Sequence, residues 1–133
     1  MDAITLDATK TTPKVVIDPA NNIFRISGES RPENASKFYT PIINLIDDYR
    51  KELVFMKNSG PVKKISFDFT FDYFNSTSAK FILDIFFQLQ KIHREGFETE
   101  IIWNYDKRDT DMQESGEEFS KYVSDVSVKY VGF

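Results

Sequence analysis

The chain has 133 residues, with 17 Lys and Arg against 21 Asp and Glu, a net charge of −4, no cysteine, and 13 Phe within an aromatic fraction of 15%. That length suits one domain around one core. The acidic balance argues against nucleic acid or an anionic membrane as the main partner, and the missing thiols exclude disulfides, thiol catalysis and thiolate metal sites. No apolar run reaches the length of a bilayer span, and MDAITLDATK lacks a signal-peptide core, so a cytoplasmic protein is expected. Residues 1–12 are polar and Thr-rich and read as a flexible arm, ahead of a single domain over 13–133. Lys14–Ile17 and Asn22–Gly28 have strand character. The turn chemistry of Asp18-Pro19-Ala20-Asn21 between them predicts an antiparallel hairpin. Beyond Gly28 and Pro32 a helix is predicted from Glu33 or Asn34 to about Val54, with Tyr39, Ile42, Ile43, Ile46, Tyr49 and Leu53 as its apolar stripe. Pro41 lies inside that pattern and must kink the helix or begin its main segment. Lys57–Pro61 is a loop.

From Ile65 the pattern alternates. Ile65, Phe67, Phe69, Phe71 and Tyr73 fall on one side, and Ser66, Asp68, Thr70 and Asp72 on the other, which predicts a strand with one buried and one polar face. From Ala79 the period changes to about 3.6 residues. Phe81, Ile82, Ile85, Phe86, Leu89 and Ile92 then share one half of a helix running to about Glu95. Asn75-Ser76-Thr77-Ser78 sits between strand and helix. All four residues favour a helix N-cap, and a hydroxyl there lies beside unpaired N–H groups and the positive end of the helix dipole. Two readings are open: one of these residues only caps the helix, or one of the hydroxyls takes a phosphate.

Gly96 closes that helix. Phe97–Tyr105 repeats the one-sided alternation, and the acidic stretch from Asp106 to Glu118 leads into a short helix over about Glu114–Tyr122. Val126–Val131 is a last strand. Two long strands with one polar face do not suit a sheet covered on both sides. The expected fold is α/β, a mixed sheet with helices packed mainly on one face.

Tests for enzyme chemistry fail one after another. His93 is the only histidine and has no partner in its pattern, so a phosphocarrier role stays an alternative without support from its neighbours. The acidic run lacks the order of a calcium loop. Asp68 and Asp72 share a face but stand roughly 13 Å apart along a strand, too far for a glycosidase pair. No nucleophile elbow, phosphate loop or dinucleotide motif occurs, and no metal or cofactor is expected. Leu83 and Phe87 fall off the apolar half of their helix, one turn apart among Lys80, Lys91 and Arg94. They read either as surface covered by another part of the fold or as a docking ridge.

The segments SGESRPENASKFYTPI, YFNSTSAKFILDIF and WNYDKRDTDMQESGEEFS, with the spacing between them, resemble the SiaC family of bacterial regulatory phosphoproteins. The resemblance implies a fold similar to STAS domains, the anti-sigma-factor antagonists, and a switch protein that is not an enzyme. It also implies a Ser/Thr kinase that phosphorylates one hydroxyl at the start of the central helix, a PP2C-type phosphatase that removes the phosphate, and an effector such as a diguanylate cyclase that controls biofilm formation. The family pattern N-T-S-S-x-K falls on Asn75-Ser76-Thr77-Ser78-Ala79-Lys80. It assigns the acceptor to Ser76, with Thr77 as the alternative. The expected partner surface is Asn75, Thr77, Ser78 and Lys80 around that acceptor, together with the Leu83 and Phe87 ridge read from the helix periodicity. A constitutive structural adaptor with no switch is the remaining reading.

Overall fold

The computed structural model describes all residues, Met1–Phe133. Its elements in chain order are β1 (Ile4–Leu6), β2 (Lys14–Asp18), β3 (Ile23–Ser30), α1 (Ala35–Phe55), β4 (Ile65–Phe74), α2 (Ser76–Arg94), β5 (Thr99–Tyr105), α3 (Thr110–Ser120) and β6 (Ser127–Gly132). The strands lie in one sheet in sequence order, β1 to β6. The first two pairings are antiparallel and the next three parallel. Each parallel step is a strand–helix–strand crossover taken in the same direction, and because such crossovers are almost always right-handed, all three helices fall on one face.

The alternation read in the sequence dictates that face. Phe24, Ile26, Phe67, Phe69, Ile101 and Trp103 are buried beneath the helices. Phe69 pairs directly with Trp103 across β4 and β5, and their rings are 5.7 Å apart. Tyr49 of α1, Phe86 of α2 and Phe119 of α3 then close over Phe24, Phe69 and Trp103 respectively. The opposite face is polar: Asn104 donates to Asp68 at 2.6 Å, and Glu100 meets Lys64 at 2.8 Å and Lys129 at 3.2 Å. The mixed sheet with helices on one face is therefore as expected.

Several local expectations need correction. Residues 1–12 do not form an arm throughout, because Ile4–Leu6 pair with Val15–Ile17 as an edge strand. Tyr73 is 49% exposed, not buried. The register between β3 and β4 shifts at Gly28/Glu29 and skips Asp72, and one extra residue sends every later side chain to the other face. Phe74 takes the inward place and packs edge-on against Phe71 and Trp103. α1 runs through Pro41 without a break, starting at Ala35. α3 begins at Thr110, four residues before the expected start, on an Asp109 cap. Within it, Gly116 touches the indole of Trp103; a Cβ there would stand 2.5 Å from the ring.

Candidate functional site

β3, β4 and β5 all end at the edge of the sheet where α1, α2 and α3 begin, the edge at which parallel sheets commonly place their sites. Each helix starts on an Asx cap. Asn34 accepts from the Lys37 N–H at 3.0 Å, Asn75 from the Ser78 N–H at 2.9 Å, and Asp109 from the Met112 N–H at 3.0 Å. The capping half of the two readings of the hydroxyl cluster therefore belongs to Asn75, which frees the hydroxyls that follow.

Those hydroxyls divide. Ser76 and Thr77 are exposed, whereas Ser78 is fully buried. The Ser78 hydroxyl donates to the Ser30 carbonyl at 3.2 Å, and Ser30 Oγ donates to Ser78 Oγ at 2.9 Å. Having used its own proton, Ser30 Oγ accepts from the Tyr39 hydroxyl. The Asn75 N–H also donates to the Ser30 carbonyl at 3.0 Å. This buried chain ties the start of α2 to β3 and α1. Burial pushes the Tyr39 phenol up to about 12, against which its two serine neighbours act in the opposite sense, so it stays a neutral donor. Ser78 is thus a structural hydroxyl, and its expected place on a partner surface is corrected: no partner reaches it without unfolding the end of the helix.

The peptide N–H groups of Ser76 and Thr77 stand in the first turn, where helix geometry supplies no acceptor. One turn further, the Lys80 ammonium lies 5.7 Å from the centre of the Phe81 ring and makes no ion pair. Ser76, Lys80, Leu83 and Phe87 follow one another at four-, three- and four-residue steps and so form one stripe along α2. Leu83 and Phe87 are half-buried and touch the core cluster. The Phe87 ring meets Tyr122 edge-on at 6.4 Å, so the ridge is partly covered. Thr77 points along another flank with Phe81, whose ring stacks on Tyr39 of α1 at 5.8 Å.

His93 lies seventeen residues beyond Ser76, about 26 Å along the helix. Its Nδ1 is buried without a hydrogen-bond partner, and the basic residues around it are Lys91 and Arg94. A hollow of about 290 Å³ between Tyr49, Leu53, Met56 and Pro61 is also remote, at the opposite edge of the sheet. Residues missed in the sequence are Phe74, Ala79 and Phe119, which line a groove between α2 and α3. The only early signal for it was the unplaced pair Leu83 and Phe87.

Residues 6–133 match the family described as SiaC family regulatory phosphoprotein. The chain belongs to the SiaC family. Solved structures agree in fold. Apo-SiaC from Pseudomonas aeruginosa superposes with a TM-score of 0.81 at 23% identity, over 99% of this chain and 98% of that one. SiaC of the same organism in complex with the diguanylate cyclase SiaD, whose activator it is, gives 0.85 at 22% identity, over 98% and 99%. An uncharacterised protein of Pseudomonas aeruginosa (strain UCBPP-PA14) is 24% identical over 124 residues, 93% of this chain and 92% of its own length.

Proposed function

We propose that this chain is a phosphorylation-gated binding protein of the cytoplasm, not an enzyme. Ser76 is the acceptor, a Ser/Thr kinase and a PP2C-type phosphatase set its state, and the unphosphorylated form engages an effector of the diguanylate cyclase class. One observation carries this reading. Ser76, which the family resemblance implies as acceptor, is an exposed hydroxyl on the first turn of α2, released from capping by Asn75 and separated from the buried Ser78. A phosphate adds close to two negative charges and three acceptor oxygens, and the free amides and dipole of α2 suit both. The fold accepts the modification; its effect falls on a partner lying along the stripe of Ser76, Lys80, Leu83 and Phe87. Such a partner would have to strip water from the dianion.

The test is phosphosite mapping of protein isolated from its native cells, together with effector affinity for kinase-treated wild type and Ser76→Ala. Acid-stable phosphate on Ser76, with release only of the wild type, is the expected result. Phosphate on the Ala variant moves the acceptor to Thr77, and acid-labile phosphate moves it to His93. Equal effector binding with and without phosphate reduces the protein to a constitutive adaptor.

A further inference from the structure

The groove between α2 and α3 opens three residues after Ser76. Phe74, Ala79 and Phe119 make its floor and Asp111, Glu114 and Glu118 its α3 wall, around a volume of about 380 Å³. The three carboxylates are on exposed residues, and only Glu118 meets a cation, Lys121 at 2.8 Å. The wall belongs to residues 106–118, which hold six Asp and Glu against two Lys and Arg, an excess of four that equals the net charge of the whole chain. An apolar floor under an acidic wall with two of its three carboxylates unpaired, one helix turn from Leu83, suits one kind of occupant.

From this placement we infer that the groove seats a basic amphipathic helix of the effector, an inference that rests on the reading of α2 as the docking face. Apolar side chains of that helix lie on Ala79, Leu83 and Phe119, as helix-in-groove recognition requires. Its Lys or Arg stems cross the Phe74 and Phe119 rings and carry their charges to Glu114 and Glu118. The sign of the charge then separates two contributions. A phosphate on Ser76 attracts a cationic partner through space, so release on phosphorylation comes from the volume and hydration of the phosphate at the mouth of the groove. The acidic wall, by contrast, sets the salt dependence of binding.

The experiment uses two synthetic helical peptides of equal length with the same leucine stripe, one flanked by lysines and one by glutamates. They are titrated into isotopically labelled, unphosphorylated full-length protein. The lysine peptide is expected to shift the amide signals of Ala79, Leu83, Ser115 and Phe119, and to bind more weakly as salt rises. Glu114→Gln with Glu118→Gln, both at exposed positions that leave the fold intact, should lower its affinity about tenfold, the loss of two half-exposed ion pairs. The inference is overturned if the glutamate peptide binds equally, if the shifts lie elsewhere, or if the double variant binds like the wild type. Protein carrying phosphoserine at position 76 separates the two readings, because an aspartate lacks the volume and second charge of the phosphate. Equal peptide binding by the phosphoserine protein leaves the groove standing and removes the gate, while loss of effector binding on phosphorylation with no peptide binding leaves the gate and removes the groove.

Discussion

Replacing Gly116 by alanine tests the packing that holds α3 beside the site. The added Cβ would stand 2.5 Å from Cδ1 and Nε1 of Trp103 and 2.7 Å from Cγ, whereas carbon atoms pack at about 3.5–4.0 Å. Something must therefore move by about 1 Å. The indole cannot do so freely: it is 1% exposed, bonded through Nε1 to the Met112 carbonyl at 2.9 Å, and enclosed by the rings of Phe69, Phe71, Phe74, Phe86 and Phe119. Overpacking of this kind costs about 1–3 kcal/mol. Alanine in place of an interior helical glycine returns at most about 1 kcal/mol. The expected net loss is about 1–2 kcal/mol, with α3 pushed outward and the groove widened. Trp103 is the only tryptophan, so urea unfolding followed by its fluorescence reads the change at its source, as a lower midpoint at unchanged slope. A Gly116→Ala protein as stable as the wild type, or more so, would refute the close approach of α3 and Trp103.

Ser78→Ala should cost about 1–2 kcal/mol because Ser30 Oγ loses its buried acceptor, and Ser78→Asp should not fold, while Ser76→Asp should keep the wild-type melting temperature; thermal scans of the three decide it. Tyr39→Phe should lose about 1 kcal/mol at neutral pH but resist alkali. The folded phenol titrates near 12 against 10.0 for an ordinary tyrosine, so between those values the unfolded state sheds its proton first and wild-type stability falls by about 2–3 kcal/mol. Unfolding midpoints measured from pH 9 to about pH 12 should show that fall, and an equally steep fall in the Phe variant would assign it elsewhere. Phe87→Ala should cost about 1–2 kcal/mol, less than the about 3–5 kcal/mol of a core phenylalanine, and should weaken the lysine peptide; a core-sized loss with normal peptide binding would place Phe87 outside the groove.

What the sequence disclosed was local. The alternation of Ile65–Phe71 and the 3.6-residue stripe of Phe81–Ile92 each state their own burial, so β4, β5 and α2 could be placed, as could the hairpin turned by Asp18–Asn21. What it concealed was set by partners far away in the chain. Tyr73 continues the alternation in sequence, but β3 pairs with a skip at Asp72 and turns it outward. Ile4–Leu6 is a strand only because β2 offers a free edge. α3 reads as starting late because its first turn lies in a polar, acidic stretch with little apolar periodicity, and the Gly116 within it answers to an indole thirteen residues earlier. At the site, Ser76, Thr77 and Ser78 are chemically alike, and only the helix turn and the reach to Ser30 tell them apart.

That turn also decides what a phosphate can control. Successive residues on α2 differ by about 100°, so phosphates on Ser76 and on Thr77 would face different flanks. From Ser76 the next residues on the same stripe are Lys80, Leu83 and Phe87, beside α3 and the acidic wall. From Thr77 the next is Phe81, already stacked on Tyr39 of α1 and therefore occupied. A charge at either position sits at the positive end of α2 and stabilises that end by about 1 kcal/mol or less, so the fold is nearly indifferent to the choice. A partner is not, because the Ser76 flank is the one that leads along Lys80 and Leu83 to the α2–α3 groove. Phosphate on Ser76 would stand in the path of a helix entering the α2–α3 groove, whereas phosphate on Thr77 would leave that path clear. Comparing peptide affinity for protein carrying phosphoserine at 76 with protein carrying phosphothreonine at 77 puts this to a direct test: loss of binding confined to the first is expected, and equal loss in both would mean that the gate is not a matter of which flank carries the phosphate.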